Sequence, residues 1–230
     1  MTDPVDDPVG ALVIRRATPG DAPALASICR ASFPTTARWQ ASRRAAERWW
    51  RGAIASAAAE VWAVRRASEC VALLLVILDE SVWKRERRRF GRPSWRDPVV
   101  LALRPIALWR ILRHRFTARA APAPSPIGAV SPARAERLWL ELIAVAPRAR
   151  GQGLGQRLVA LCEHRAAIHD RSEVRLRVEA HNRGAIAMYQ REGFSVTTAT
   201  PRALVMSRAV DPAILPPREF GLLEKEPAHP

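Results

Sequence analysis

Residues 140–155, LELIAVAPRARGQGLG, decide the fold: an apolar, β-rich run ends at Pro147, a basic turn with three glycines follows, and a helical pattern then begins. Gly151, Gly153 and Gly155 let the backbone curl tightly and let a ligand approach the main-chain amides with no Cβ in the way. The helix that opens here brings the positive end of its dipole and its unpaired N–H groups to the same place, so the turn reads as an anion site. Arg148 and Arg150 add charge suited to a pyrophosphate. Spacing excludes two familiar phosphate motifs. A Walker loop needs Lys and then Ser or Thr after its second glycine, and Gly155 is followed by Gln156 and Arg157. The dinucleotide fingerprint needs a third glycine at position 156 or 158, which hold Gln156 and Leu158. What remains is R-x-x-G-x-G, met by Arg150, Gly153 and Gly155.

A second motif lies downstream in residues 176–194, LRVEAHNRGAIAMYQREGF. It reads as a strand, an Asn182 helix cap, a helix carrying Ile186 and Tyr189 on one face, and Gly193 at its end. With both motifs in this order and spacing, the chain resembles the GNAT family of acetyl-CoA-dependent N-acetyltransferases. The segment VIRRATPGDAPALASICRASF, residues 13–33, is similar to that family's first strand and helix, so the likeness covers most of residues 11–207.

The resemblance implies direct transfer from acetyl-CoA to an amine in a ternary complex, with the donor in the gap where the strand Leu138–Val145 splays from the strand Val174–Val178. Amides of Arg150, Gly151, Gln152, Gly153, Leu154 and Gly155 would hold the pyrophosphate. The backbone of Ile143, Ala144 and Val145 would lie along the pantetheine, with one amide polarising the thioester carbonyl. Asn182 would contact the pantetheine side, and Tyr189 would protonate the departing thiolate. The attacking amine must lose a proton, and Glu141 is the first candidate base, with Glu179 second. Members of the family that acetylate protein N-termini often carry Glu twelve residues before the tyrosine, where this chain has Arg177. That departure argues against transferring their substrate class.

Around these motifs the pattern gives strands at Ala11–Arg16, Val61–Arg65 and Cys70–Leu78, a helix through Ala24–Cys29, and a second helix over Ala41–Ala58 with Trp49, Trp50 and Ile54 as core. Leu138–Val145 and Val174–Val178 are strands, Leu154–Ala167 and Ala185–Arg191 helices, and Phe194–Thr198 and Ala203–Ser207 short final strands. The order predicts one α/β domain with a mixed sheet and helices on both faces, which the resemblance makes mostly antiparallel. Residues 1–10 and 210–230 read as flexible tails on a single domain over 11–209. Residues 82–133 do not fit the minimal family pattern and read as a helical, Pro-rich insertion: a basic run Trp83–Phe90, a helix Val99–Phe116 kinked at Pro105, and a linker over Thr117–Pro132.

The 230 residues, 48% hydrophobic and 26% charged, exclude fibrous and wholly disordered classes. Three scattered cysteines give neither a disulfide framework nor metal-ligand spacing, and His164 and His169 are five apart, so no metal is assigned. The acidic N-terminus lacks the features of a secretory signal, which points to the cytoplasm. The formal net charge is +15, and two thirds of it falls between Trp83 and Arg119, where twelve Lys or Arg face only Glu86 and Asp97. Three readings of that stretch stay open: a solvated cap over the cleft, which is preferred; an amphipathic helix over 83–119 resting on anionic membrane; and recognition of a negatively charged acceptor. Nucleic acid is not expected, because no stacking platform accompanies the charge. The acceptor is expected to be a primary amine on a small molecule, an amino sugar or other acidic metabolite. The opposing readings are a non-catalytic acyl-CoA-binding module that docks on a membrane or partner, and a protein-lysine or N-terminal acetyltransferase. A homodimer is a family expectation only.

Overall fold

The computed structural model describes residues 12–40, 42–90 and 136–211. The expected helix Val99–Phe116, the linker Thr117–Pro132, the N-terminal tail and the C-terminal tail from residue 212 onward lie outside the described residues. Seven strands form one sheet in the order β1-β2-β3-β4-β5-β7-β6. They are β1 (Leu12–Arg16), β2 (Ala59–Arg66), β3 (Glu69–Ile77), β4 (Arg137–Val145), β5 (Glu173–Glu179), β6 (Ser195–Ala199) and β7 (Ala203–Ala209). Every neighbouring pair is antiparallel except β4 with β5.

Strand β3 sits near the middle and is buried along all but its first residue. Its near-continuous apolar run is what a strand covered on both faces requires. On one face lie α1 (Ala22–Ser32), the short α2 (Ala37–Gln40), α3 (Arg43–Ile54) and α4 (Glu80–Phe90); on the other lies α5 (Leu154–Ile168). The last helix, α6 (Arg183–Arg191), connects β5 to β6. No helix among the described residues is long and apolar enough to cross a membrane.

Local chemistry explains where the elements begin. Asp21 accepts hydrogen bonds from the backbone and hydroxyl of Thr18 at 2.8 and 2.9 Å, which closes the turn leading into α1. The same carboxylate takes Arg15 through two nitrogens and Arg65 through one, tying β1 and β2 to that helix start. Burial alone pushes its carboxyl up, but these bonds outweigh burial and hold it below the usual carboxylate range. Ser42 caps α3 by accepting from the Ala45 amide, so that helix starts two residues after the expected Ala41 and stops at Ile54, four before Ala58.

The basic run Trp83–Phe90 is the body of α4, packed on the core. Trp83 is 2% exposed and stands edge-on to Trp49 with ring centres 5.9 Å apart, inside a cluster with Trp39, Trp50 and Phe90. Gly52 on α3 permits this approach: a Cβ there would lie 2.4 Å from Phe90 Cγ. Ser56 also donates to Glu86 at 2.5 Å, fastening the helix to the turn before β2.

Candidate active site

Strands β4 and β5 pair only from Arg137↔Glu173 to Leu140↔Leu176. Beyond that point β4 stays with β3 as far as Val145↔Ala72, while β5 stays with β7 as far as Glu179↔Ala203. The sheet therefore forks at Leu140. The cause is visible in the register: Leu75 faces Leu142 and Val76 faces Leu140, so Glu141 is the extra residue of a β-bulge. A bulge bends its strand, and this one turns the second half of β4 away from β5. Along Ile143, Ala144 and Val145 the β4 edge that faces the fork has no strand beside it among the described residues.

Immediately after β4, a single turn of 3-10 helix over Pro147–Ala149 leads through extended Arg150 into the glycine turn. Gly151 has φ +76° and Gly153 φ +72°, a region in which L side chains are strained. A Cβ at Gly151 would meet nothing within 4 Å, so backbone conformation and not crowding selects glycine there. Gly155 is glycine for a different reason: its Cβ would sit 2.8 Å from Met188 Sδ, so its absence lets α6 approach the first turn of α5. Arg150, Gly151, Gln152 and Gly153 are exposed and Leu154 is buried, leaving the amides before the helix open to a ligand. The Arg66 guanidinium donates to Gln152 Oε1 at 2.6 Å, and Arg148 pairs with Glu69 on β3, so two cations flank the turn.

Helix α6 starts at Asn182, whose Oδ1 accepts from the Ala185 amide at 3.2 Å. Tyr189, one residue past Met188, is 7% exposed and packs against Phe194 with ring centres 5.7 Å apart. Its hydroxyl makes no hydrogen bond among the described residues. Burial, and then the neighbouring Cys162, push its pKa up, so it stays protonated through neutral pH. Glu141, about a quarter exposed, lies 3.6 Å from Arg87 of α4. Glu179 is exposed and 3.3 Å from His181 Nε2. The structure thus brings the glycine turn, the β4 edge and the start of α6 to one end of the fork, with Glu141 at its base.

Two groups beneath this site have no local sequence signal. Glu163 of α5 is 4% exposed and pairs with Arg208 of β7, which also donates to the Glu192 carbonyl at the end of α6. Burial pushes the Glu163 carboxyl up to about 7, Arg208 opposing and Glu192 adding to the shift. On the other side of α5, Arg165 donates to Glu60 of β2 at 2.7 and 2.8 Å, joined by His169 at 2.8 Å and Arg16 at 2.9 Å. Burial raises that carboxyl, but the bonds from His169 and Arg165 and the charges of Arg16 and Arg165 hold it well below the usual range. His169 is thus a hydrogen-bond partner of Glu60, and Cys162 is fully buried as a small core residue.

Known proteins share this fold. Residues 24–194, most of the chain, match the acetyltransferase (GNAT) family. No curated protein matches by sequence. Among solved structures, an acetyltransferase from Thermus thermophilus has 18% identity over 87% of this chain and 98% of its own, with TM-score 0.53. The PaiA N-acetyltransferase of Thermoplasma acidophilum, solved in complex with coenzyme A, has 14% identity over 86% and 99%, with TM-score 0.53. YncA of Salmonella typhimurium, solved with its cofactor acetyl-CoA, has 14% identity over 90% and 99%, again with TM-score 0.53. At these identities the likeness is one of fold.

Proposed function

The chain belongs to the GNAT acetyltransferase family, and from that premise we propose that it moves the acetyl group of acetyl-CoA to a primary amine on a small molecule, an amino sugar or other acidic metabolite. The observation that carries this reading is the fork: β4 leaves β5 at Leu140, and the open edge runs directly into a glycine turn that opens a helix.

Each residue has a task in that reading. The amides of Arg150 to Gly155 receive the pyrophosphate at the positive end of α5. The β4 edge at Ile143 to Val145 hydrogen-bonds the amides of the pantetheine arm as a strand would, and one N–H there polarises the thioester carbonyl. Asn182, held by its cap bond, borders the arm from the β5 side. Glu141 accepts the proton that the ammonium of the acceptor must lose. The amine nitrogen then forms a bond to the acetyl carbon, the carbon–sulfur bond breaks with its electron pair on sulfur, and the second proton that the nitrogen sheds as it becomes an amide ends on that sulfur, giving the free thiol. Tyr189 meets that sulfur with an O–H donor. Burial keeps the phenol protonated, so Tyr189 gives its proton to the sulfur as it regains the one the nitrogen sheds, and no phenolate is left behind.

The test is a thiol-release assay with acetyl-CoA against a panel of amino sugars, aminoalkyl phosphates, amino acids and neutral amines. Amine-dependent release, with the acetylated amine seen by mass spectrometry, is the expected result. Tight acetyl-CoA binding with no transfer to any member would favour a non-catalytic binding module instead.

A further inference from the structure

The β4 bulge falls at Glu141, and Arg87 of α4 forms an ion pair with this carboxylate. Their separation, 3.6 Å from Arg87 Nη1 to Glu141 Oε1, is an ion-pair distance but too long for a hydrogen bond. Among the described residues the Arg87 guanidinium makes no hydrogen bond, and its side chain is 37% exposed. Its helix is not free to drift. Trp83 and Phe90 lock α4 into the aromatic cluster, and Ser56 grips Glu86 beside Arg87. The rest of the helix adds positive field: Arg85, Arg88 and Arg89 are exposed, and of the cations on α4 Lys84 is neutralised within the helix, by Glu80 at 2.6 Å.

A plain amine approaching Glu141 as a cation therefore meets repulsion from a guanidinium fixed beside its destination. An acceptor that carries its own anion a few bonds from its amine meets the opposite: its ammonium faces Glu141 while its carboxylate or phosphate takes the Arg87 donors side by side. We propose that Arg87 is the residue that selects the acceptor, and that the acceptor is a zwitterion in which an oxyanion lies within a few bonds of the amine that is acetylated. This rests on the acetyltransfer reading above and on Glu141 bordering the acceptor end of the fork. Arg87 acts on the substrate's binding and takes no part in bond making.

The experiment compares matched pairs that differ only in the anion: ethanolamine phosphate with ethanolamine, 3-aminopropyl phosphate with 3-aminopropanol, and glycine with glycinamide. In the wild type the anionic member is expected to have the higher kcat/KM by about 10- to 100-fold, the range of a charge-assisted hydrogen bond. The first two pairs report phosphate and the third carboxylate, so the pair showing the larger ratio identifies the oxyanion. R87Q is expected to collapse that ratio to within about threefold, mainly through KM of the anionic member, and R87K to restore part of it. If R87Q lowers both members in proportion, Arg87 is only structural and the inference falls. It falls equally if the wild type shows no preference, or if acetyl-CoA binds and none of the zwitterions is acetylated. In that last case the donor reading stands, whereas absence of acetyl-CoA binding would overturn the acetyltransfer reading itself.

Discussion

Tyr189 is buried to 7% exposure, yet its hydroxyl is spent on no hydrogen bond among the described residues, which separates its chemical role from its structural one. Tyr189→Phe keeps the ring against Phe194 and removes only the donor. The expected outcome is a fall in kcat of about 100-fold or more, with the melting temperature and the acetyl-CoA dissociation constant nearly unchanged. Steady-state kinetics beside a thermal melt checks it, and a mutant that loses stability in step with activity would show a packing residue. The two donor-loop glycines at positive φ were legible from sequence because their positions alone carry the constraint. Gly155 was legible as a glycine of the motif but not for its reason, since Met188 Sδ reaches it from another helix. The same limit hid Arg87 from view: it pairs with Glu141 from a distant part of the chain, and no periodicity marks that pairing.

Between elements, the decisive contacts are the fork and the seating of α4. Gly52 faces Phe90 so closely that a methyl group would overlap the ring at 2.4 Å. Gly52→Ala is therefore expected to destabilise by about 1–2 kcal/mol, because overpacking exceeds the roughly 1 kcal/mol that alanine ordinarily gains over glycine inside a helix. Chemical denaturation measures it; a stabilised variant would show that α4 is loosely seated. Composition made α4 read as the start of an insertion, since five of its eleven residues are Lys or Arg. The signal that it belongs to the core was the pair Trp83 and Phe90, seven residues apart and so on one helical face. The strands were readable to within two residues, because β3 is apolar after its first residue and its neighbours are bounded by turn residues. The bulge at Glu141 was not, because a one-residue offset against β3 exists only once the strands are paired.

At the scale of the whole molecule, stability follows pH through three carboxylates that are buried among the described residues. Glu60 and Asp21 are held below their ordinary values, so the stability they contribute is present above about pH 4.5 and is lost as pH falls through their folded-state values. Glu163 is shifted the other way, to about 7 from an ordinary 4.5. The folded state then holds its proton longer than the unfolded chain, so its contribution is full below about pH 4.5 and is lost as pH rises from there to 7. The melting temperature is expected to peak near pH 5 and to decline by a few degrees toward pH 7.5, and Glu163→Gln is expected to flatten that decline. A wild-type curve that rises from pH 5 to 7.5 would show that Arg208 holds Glu163 fully ionised. The Glu60 cluster joins β2 to α5 over 105 positions of chain and steadies the helix whose first turn forms the donor site. Everything proposed here depends on that site holding acetyl-CoA, so the deciding measurement is a thermal melt with acetyl-CoA, NAD or ATP. At about 100 times its dissociation constant, acetyl-CoA is predicted to stabilise the protein by roughly 2.7 kcal/mol, a rise of ~5–10 °C for a domain this size, with neither control matching it. No shift with acetyl-CoA, or an equal shift with NAD or ATP, would contradict the account.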